Sequence, residues 1–486
     1  MTGLAQLGGP VACAGLALLL VLRGRRERLA ALALAALGTC LLGVAVAPDR
    51  PLLVSGGVCA ALGLGLGLAG IFRAAPWLYP LLALACVPAR IGVHLGGASS
   101  KLLVPLYVVV LGATILLGWQ LLDGDDRARE LRLASWPLAA FVAWTGLSLV
   151  WSKDVQQGAI ELLAFIIPFT LLALTVARLP WSRFGVRLLT LELTAMALVF
   201  AVVGFYQYET RDIFQNPKVI NANAYAKFFR VNSVFWDPSV YGRFLVLAMA
   251  PLIVFVALGR SLRLSVAAAA ALVVLWFGLL ISYSQSSFAA LIVVVVGAAF
   301  LAWRWRALVA VALALAVLAG ISVAQPQIRR SLQHHTSHGL NAATSDRSSL
   351  VANGIRIAEH HPVTGVGVGG FKRAYADRLG LKGKEPRKAA SHTTPVTVAA
   401  ETGLVGLALF GWLVVALVAQ AFRRRETLRL VSGLALLAVF CHALFYNAFF
   451  EDPMTWGLMG LAALALPAPA AARVPAPAEA REAVPV

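Results

Sequence analysis

Long apolar stretches separated by short polar turns dominate this sequence. Each runs for about 18 to 22 residues, the length that an α-helix needs to cross a bilayer, and none shows the short alternation of a barrel strand. The fold class that we predict is all-α, a polytopic transmembrane helical bundle of about 13 to 15 helices. The apolar stretches are 5–22, 29–48, 52–72, 76–96, 102–122, 133–151, 158–178, 188–208, 240–258, 265–283, 287–303, 307–324, 395–420, 430–448 and 453–467.

Two of these stretches depart from the common pattern. The fourth contains Pro80, Pro88 and Arg90, so it is expected to be broken or re-entrant, and the last is short. The pattern divides the chain into N-terminal transmembrane helices over 1–200, a core over 201–466 and a disordered cytoplasmic tail of Ala, Pro and Glu over 467–486.

Successive short loops alternate between being rich and poor in positive charge. Arginines crowd one set of short loops, whereas the opposite short loops hold little more than Arg50, Lys101 and Lys153. This asymmetry predicts that the arginine-rich side is cytoplasmic. The two long polar segments, 209–239 and 325–394, then become extracytoplasmic loops, the second of them partly helical. We therefore predict a multi-pass protein of a bacterial inner membrane with its active loops outside.

Composition sharpens this picture. The chain has 486 residues, of which 60% are hydrophobic and 13% charged, with a formal net charge of +19. A soluble domain is nearer half apolar and a quarter charged. The basic residues are scattered over many loops and form no stripe interleaved with aromatics, so nucleic acid is excluded as a partner.

Candidate chemistry gathers in the polar loops. Arg347 and Arg356 lie on a predicted helix from Asp346 to His360, and their spacing places them on roughly the same side. Arg230 lies on the other loop and precedes Asp237. The guanidinium fork suits phosphate oxygens. Salt bridges to nearby carboxylates, or contacts with lipid headgroups, are the alternative roles.

His392 lies just before a predicted helix start at Thr393, Thr394 and Pro395. The helix dipole there disfavours imidazolium, and a neutral imidazole is suited to be a general base. The alternative is an interfacial histidine that is hydrogen-bonded to a carbonyl. Glu401 lies two turns further along, and its alternative role is to pair with a buried donor.

Two other motifs are given structural interpretations. The glycine run 365–370 has no preceding strand and no following Lys-Ser/Thr, so a tight turn on the membrane surface is favoured over a nucleotide loop. Asp123 and Asp125 stand beside several arginines and are interpreted as a solvated turn. No metal and no cofactor are expected.

The order of these features resembles the O-antigen ligase and polymerase family of membrane glycosyltransferases. The resemblance covers roughly 200–450 and rests on a combination of short motifs, three of which depart from the family. Gln285 stands where many members have arginine, Thr393 follows the histidine where many have asparagine, and Ser239 follows Asp237-Pro238 in place of asparagine. The motifs are Arg230 to Pro238, Ser282 to Ser287, Arg347, Pro362 to Phe371, His392, and Glu401-Thr402-Gly403.

The resemblance implies a transferase that uses a polyprenyl-diphosphate-linked glycan donor on the extracytoplasmic face, inverts the anomeric centre and needs no metal. It implies that Arg230 and Arg347 hold the diphosphate, that Arg356 supports them, and that His392 is the catalytic base. Gln285 and Glu401 complete the predicted substrate-binding set. The acceptor, whether a glycan, a lipid or a protein, the sugar and its linkage, the oligomeric state and the choice between polymerase and ligase all stay open.

A lipid-linked sugar flippase or other membrane transporter without covalent chemistry is the alternative function. Transporters commonly keep ionisable residues within the membrane, whereas the spans here are nearly free of charge. Glu192, Arg243 and His442 are the main exceptions. A non-enzymatic scaffold of envelope assembly is the third hypothesis.

Overall fold

The fold is known from a computed structural model. It describes residues 2–46, 51–95, 98–214, 216–225, 228–259, 261–307, 309, 312–313, 347–381, 391–423 and 426–464. Most of the predicted stretch 307–324, part of the segment 325–394 and the predicted tail 467–486 lie outside these residues.

The described chain is built almost wholly of helices. A 3₁₀ turn, Arg132–Ala134, precedes α6, a second one, Leu149–Trp151, follows it, and a π-helical turn, Leu162–Ile166, joins α7 to α8. The helices in the first half are α1 Thr2–Val21, α2 Arg25–Val46, α3 Pro51–Ala74, α4 Leu78–Ala85, α5 Val104–Leu122, α6 Ser135–Ser148, α7 Val155–Glu161, α8 Ile167–Arg178 and α9 Arg183–Thr210. Those in the second half are α10 Pro217–Tyr225, α11 Pro238–Leu258, α12 Leu262–Ser282, α13 Gln285–Trp303, α14 Arg347–His360, α15 Phe371–Arg378, α16 Thr394–Phe422, α17 Thr427–Ala443 and α18 Pro453–Ala462.

The predicted all-α membrane bundle is confirmed. Eleven helical segments among the described residues are long and apolar enough to cross a membrane, and α17 is a shorter apolar helix. This number is below the 13 to 15 that we predicted, partly because α4 and α18 have only 8 and 10 residues. The predicted break in the stretch 76–96 is present. There, α4 is followed by an antiparallel hairpin of β1 Ile91–Leu95 and β2 Ala98–Leu102.

Local sequence fixes where several helices begin. Asp237 caps α11 by accepting a hydrogen bond from the Ser239 amide at 2.7 Å, and Pro238 follows at the first helical position. Asp452 caps α18 in the same way through the Met454 amide at 3.0 Å. The helix predicted to end at His360 is also present as α14.

The ends of the helices define two faces of the bundle. The arginine-rich face is closed by a buried ionic cluster, in which Glu130 lies between Arg28 and Arg178. The Arg28–Glu130 distance is 2.8 Å, Glu130 also bonds Arg178, and Asp125 lies 2.9 Å from Arg178 and 2.6 Å from Arg127. The predicted solvated turn is exposed at Asp123 and Gly124, whereas Asp125 is partly buried and joins its loop to α8 through Arg178.

The opposite end is the loop face, where the segment 361–370 meets the corner between α6 and α7. The Lys153 amide donates to the Val366 carbonyl at 2.9 Å, and Gln6 of α1 donates to the Val150 carbonyl at 2.7 Å. Helix α16 packs against α6, α14 and α17. The loop face thus brings together the ends of α1, α6, α7 and α16 with α14.

Candidate functional site

Helix α16 is broken near its loop-face end. Gly403 has φ 70° and ψ −172°, a backbone conformation that no L-residue adopts at low cost. The break frees backbone groups that a continuous helix would pair internally. The Ala400 carbonyl accepts from the Val366 amide at 2.9 Å, the Glu401 carbonyl accepts from the Gly367 amide at 2.8 Å, and Leu404 donates to the Pro362 carbonyl at 2.7 Å.

The segment 361–370 therefore substitutes for the missing turn of α16. Non-helical backbone within a membrane protein is tolerated where protein satisfies its polar groups or where it lines a water-filled cavity. Both conditions apply to this break. The backbone of the glycine run supplies the hydrogen bonds, and a cavity lies against it.

Three glycines allow the segment to fit. Gly365, Gly367 and Gly369 all have positive φ, and a Cβ on Gly367 would collide with the backbone of Ser152. On the far side, Ser152 Oγ donates to the Val368 carbonyl at 2.8 Å. The tight turn that we predicted is present, but it is wedged between α16 and the α6–α7 corner and does not lie on the surface.

A cavity of about 320 Å³ opens beside this break. It is lined by side chains of α6, α7, α16, the glycine segment and the loop 444–452. Three carboxyl groups belong to its wall, together with four threonines, two amides, several aromatic rings and one lysine. These residues are Glu161, Glu401, Glu451, Thr145, Thr394, Thr397, Thr402, Gln157, Asn447, Phe141, Phe165, Phe371, Phe449, Phe450 and Lys372.

Two of the three carboxyl groups accept a hydrogen bond from a neighbouring group. Glu401 Oε1 accepts a hydrogen bond from the Phe371 amide at 3.3 Å, and Glu161 Oε1 accepts one from Gln157 at 3.1 Å. Within the described residues no salt bridge reaches Glu161, Glu401 or Glu451, and no group of three acidic or histidine side chains is arranged to hold a metal ion.

Glu451 connects the cavity to a second set of charges. Its side chain lines the cavity. Desolvation by the surrounding protein raises the pKa of Glu451, while the positive charges of Arg90 and Arg243 act to lower it. Arg243 is itself paired with Asp452 at 2.8 Å and donates to the Ala448 carbonyl at 3.4 Å. This buried pair fixes the loop 444–452 against α11.

His392 lies two residues before the first residue of α16 and is not among the residues that line the cavity. It directly precedes Thr393, which is the N-cap of α16 as predicted, although the Thr393 side chain makes no capping hydrogen bond. His392 is half-buried with φ 55°, an unusual conformation for a residue that is not glycine. Thr394 and Thr397, on the next helical turn, line the cavity.

The other predicted residues lie beside different helices. Arg356 is exposed on α14, and Arg347 begins this helix with a side chain outside the described part of the structure. Helix α14 packs on the start of α16, where a Cβ on Gly354 would lie 2.6 Å from Val396. The predicted helix thus sits next to the segment that carries His392.

Arg230 and Gln285 share the corner between α12 and α13. Arg230 Nε donates to the Ser282 carbonyl at 3.2 Å, and the Asn223 side chain brackets the Arg230 backbone. Gln285 is exposed as the first residue of α13. Of the six predicted residues, Glu401 alone is among the described side chains that line the cavity.

Sequence reasoning did not select Glu161 and Glu451. Glu161 was detectable, because an ionisable residue at the end of an apolar stretch indicates function. Glu451 lies between two stretches and carries no such signal.

Comparison with known families gives one match. Residues 270–411 match the family model described as O-antigen ligase, about three tenths of the chain. The match includes Gln285, Arg347, Arg356, His392 and Glu401, and it leaves out Arg230. A search of curated proteins finds no matching sequence.

Proposed function

With an O-antigen ligase-like region over residues 270–411 as the premise, we propose that this multi-pass membrane protein is a glycosyltransferase that moves a glycan from a polyprenyl diphosphate to a hydroxyl acceptor. The reaction takes place at the loop face, which we assign to the extracytoplasmic side from the distribution of arginines. The observation that carries the proposal is the broken α16, which has His392 at its start and Glu401 in the wall of a cavity.

The chemistry follows from what such a transfer requires. The acceptor hydroxyl attacks the anomeric carbon, the carbon–oxygen bond to the diphosphate breaks, and the hydroxyl proton passes to the imidazole of His392. A positioned base of this kind accelerates a reaction by about 10²- to 10⁴-fold. Attack opposite the leaving group inverts the anomeric centre.

The leaving diphosphate needs positive charge rather than a proton. Arg230 and Arg347 are proposed to hold it, with Arg356 in support, because preorganised guanidinium groups stabilise charge that develops on phosphate oxygens. The reaction is proposed to proceed without a metal. Gln285 adds an amide at the α12–α13 corner beside Arg230.

Glu401 is proposed to bind the acceptor. Its carboxylate is held by the Phe371 amide and faces a cavity rich in hydroxyl, amide and aromatic groups. Carboxylates and amides hydrogen-bond sugar hydroxyls, and aromatic rings cover the apolar faces of sugars. A carbohydrate acceptor fits this lining better than an apolar one.

The direct test is complementation of a strain that lacks the protein, with lipid-linked and transferred glycans as the readout. We expect His392→Ala and Arg347→Ala to reduce transfer at least ~100-fold. The matched controls are His360→Ala and Arg373→Ala, which change exposed side chains on the same face.

Full transfer by both His392→Ala and Arg347→Ala contradicts the proposal. Substrate flux through liposomes without a covalent product supports the flippase alternative instead. Accumulated single repeat units in the deletion strain indicate a polymerase, and accumulated full-length chains indicate a ligase.

A further inference from the structure

A second cavity lies behind the loop 444–452 and differs in character from the first. It has a volume of about 110 Å³, and every side chain around it is apolar. The lining residues belong to α4, α5, α8, α9, α11, α18 and the turns after α4 and α8, and include Val87, Leu106, Leu193, Met454, Gly457 and Leu458. Several of them, Leu193 and Leu458 among them, stay half-exposed, so this apolar groove opens on the side of the bundle.

One short stretch of chain runs from the polar cavity to the groove. Residues 447–451 line the polar cavity, whereas Pro453 and Met454, directly after them, line the apolar groove. Helix α18 thus has its preceding loop in one compartment and its side in the other. A molecule with a polar head and a long apolar tail can occupy both at once.

Arg90 lies where the two compartments meet. It follows Val87 of the groove by three residues, and its charge acts on Glu451 of the polar cavity and on Tyr446. Its side chain is half-buried, and among the described residues no hydrogen bond or salt bridge to its guanidinium is present. The nearby Arg243, by contrast, is paired with Asp452.

Tyr107 supplies a second unsatisfied group at this junction. It neighbours Leu106 of the groove and interacts electrostatically with Arg90. Its hydroxyl is buried and has no hydrogen-bond partner within the described structure. Arg90 and Tyr107 both neighbour the lining of the groove in sequence. The buried Tyr107 hydroxyl lacks a hydrogen-bond partner and the half-buried Arg90 guanidinium lacks a salt bridge within the described residues, so an anionic lipid head would satisfy both.

We propose that this groove holds the first isoprenoid units of a polyprenyl diphosphate and that Arg90 and Tyr107 bind its lipid-proximal phosphate. The inference rests on the proposed function for the identity of the lipid. It adds a site formed by N-terminal helices and α18, outside the matched residues 270–411. Arg90 then acts at the tail end of the diphosphate, and the site beside His392 receives the glycan end.

Binding of geranylgeranyl diphosphate to the purified full-length protein in nanodiscs tests this site without requiring transfer. Arg90→Ala should weaken binding about tenfold, because a hydrogen-bonded charge contact is lost. Arg90→Lys should restore part of the affinity. Lys218→Ala, which removes an exposed charge at the same end of the bundle, should bind as the wild type.

A second substitution tests the apolar half of the site. A Cβ on Gly457 meets nothing within 4 Å, so Gly457→Phe should fold and fill the groove. Excluding two methylene groups weakens binding by about tenfold. Gly411→Phe is the matched control, because Gly411 also has open space around it but is exposed on α16.

The two variants should differ in which ligands they bind less tightly. Geranylgeraniol lacks the phosphates, so its binding should fall in Gly457→Phe and stay unchanged in Arg90→Ala, whereas inorganic diphosphate should show the reverse pattern. Equal displacement of the probe by phosphatidylglycerol would show a general phospholipid site and overturn the inference. Wild-type binding in folded Arg90→Ala or Gly457→Phe would overturn it too, folding being checked by tryptophan fluorescence.

This outcome is independent of the proposed function. If the wild-type protein transfers glycan but both variants bind the probe normally, the inference fails and the function stands. If the variants lose the probe as expected and no donor supports transfer, the lipid site stands and the function fails.

Discussion

The two ends of the bundle treat charge in opposite ways. At the arginine-rich face, Glu130 and Asp125 are matched by Arg28, Arg127 and Arg178, and the side chains of Arg28, Glu130 and Arg178 are almost fully buried. At the loop face, three carboxyl groups line one cavity, and within the described residues none of them has a salt bridge.

The difference indicates what each end is for. A balanced buried cluster fixes the relative positions of helices, and breaking it leaves an unpaired charge. Carboxyl groups that line a cavity without salt bridges lower the stability of the fold, and such groups are concentrated at functional sites. Four substitutions test this contrast, taken from the largest expected effect to the smallest.

Glu130→Ala should have the largest effect. It leaves Arg28 and Arg178 buried without this shared carboxylate, which destabilises the fold by about 3 to 5 kcal/mol. The free energy of unfolding in mixed micelles measures it. Asp126→Ala removes an exposed carboxylate from the same loop and should change stability by less than about 0.5 kcal/mol. Equal losses in the two variants would remove the distinction between a structural cluster and a charged surface.

Gly403→Ala should come next. The added Cβ meets both a positive φ and the backbone of Val363, so we expect a loss of about 2 to 4 kcal/mol. Gly380 also has a positive φ, but a Cβ there would meet nothing within 4 Å. Gly380→Ala therefore measures the cost of the backbone conformation alone, about 1 kcal/mol of stability. Thermal unfolding compares them. If both variants lose the same stability, the close fit of the glycine segment in the α16 break is not a source of stability.

Glu401→Gln should affect transfer and leave the fold intact. The amide oxygen can still accept from the Phe371 amide, so stability should change by less than about 0.5 kcal/mol. Transfer should fall about tenfold, because the second carboxyl oxygen, which is proposed to bind the acceptor, is replaced by an NH2 group. Glu209→Gln, an exposed change near the same end, is the control. A variant that loses stability but transfers normally would make Glu401 a structural residue like Glu130.

Asp125→Asn should have the smallest effect. Partial burial raises the pKa of Asp125, but hydrogen bonds from Arg127 and the charge of Arg178 outweigh it and lower the pKa to about 2. Because the folded pKa is depressed, the stabilisation is present at neutral pH and is lost as the pH falls below about 4 towards 2.

Since this carboxylate is partly solvated, its contribution at neutral pH should be about 1 kcal/mol. The difference in unfolding free energy between wild type and Asp125→Asn should therefore shrink between pH 7 and about pH 3. A difference that stays constant over this range would contradict the assignment of the effect to ionised Asp125.

Much of the architecture could be predicted from the sequence, because bilayer thickness fixes helix length and caps fix helix starts. Asp237 and Pro238 begin α11, and Thr393 occupies the N-cap position of α16 without a side-chain capping hydrogen bond. These signals are local, and each lies within a few residues of the feature that it determines.

The break in α16 could not be predicted in this way. A single glycine in an apolar run is compatible with a continuous helix, and the partners of the broken turn, Val366 and Gly367, lie more than thirty residues earlier. Asp125 was assigned to a solvated turn for the same reason, since Arg178 is distant in sequence. The grouping of Glu161, Glu401 and Glu451 likewise depends on packing between helices.

The part of α16 above Gly403 has a consequence for chain length. It is a separate rod of about two and a half turns from Thr394 to Thr402, attached to the rest of the helix only through a bend. Inserting or deleting one residue within this rod would rotate Glu401 by about 100° relative to the imidazole of His392 and turn the carboxyl group away from the cavity. The same change below Gly403 would leave the two groups in register, so this rod is the stretch of the helix where an insertion or deletion is least tolerable.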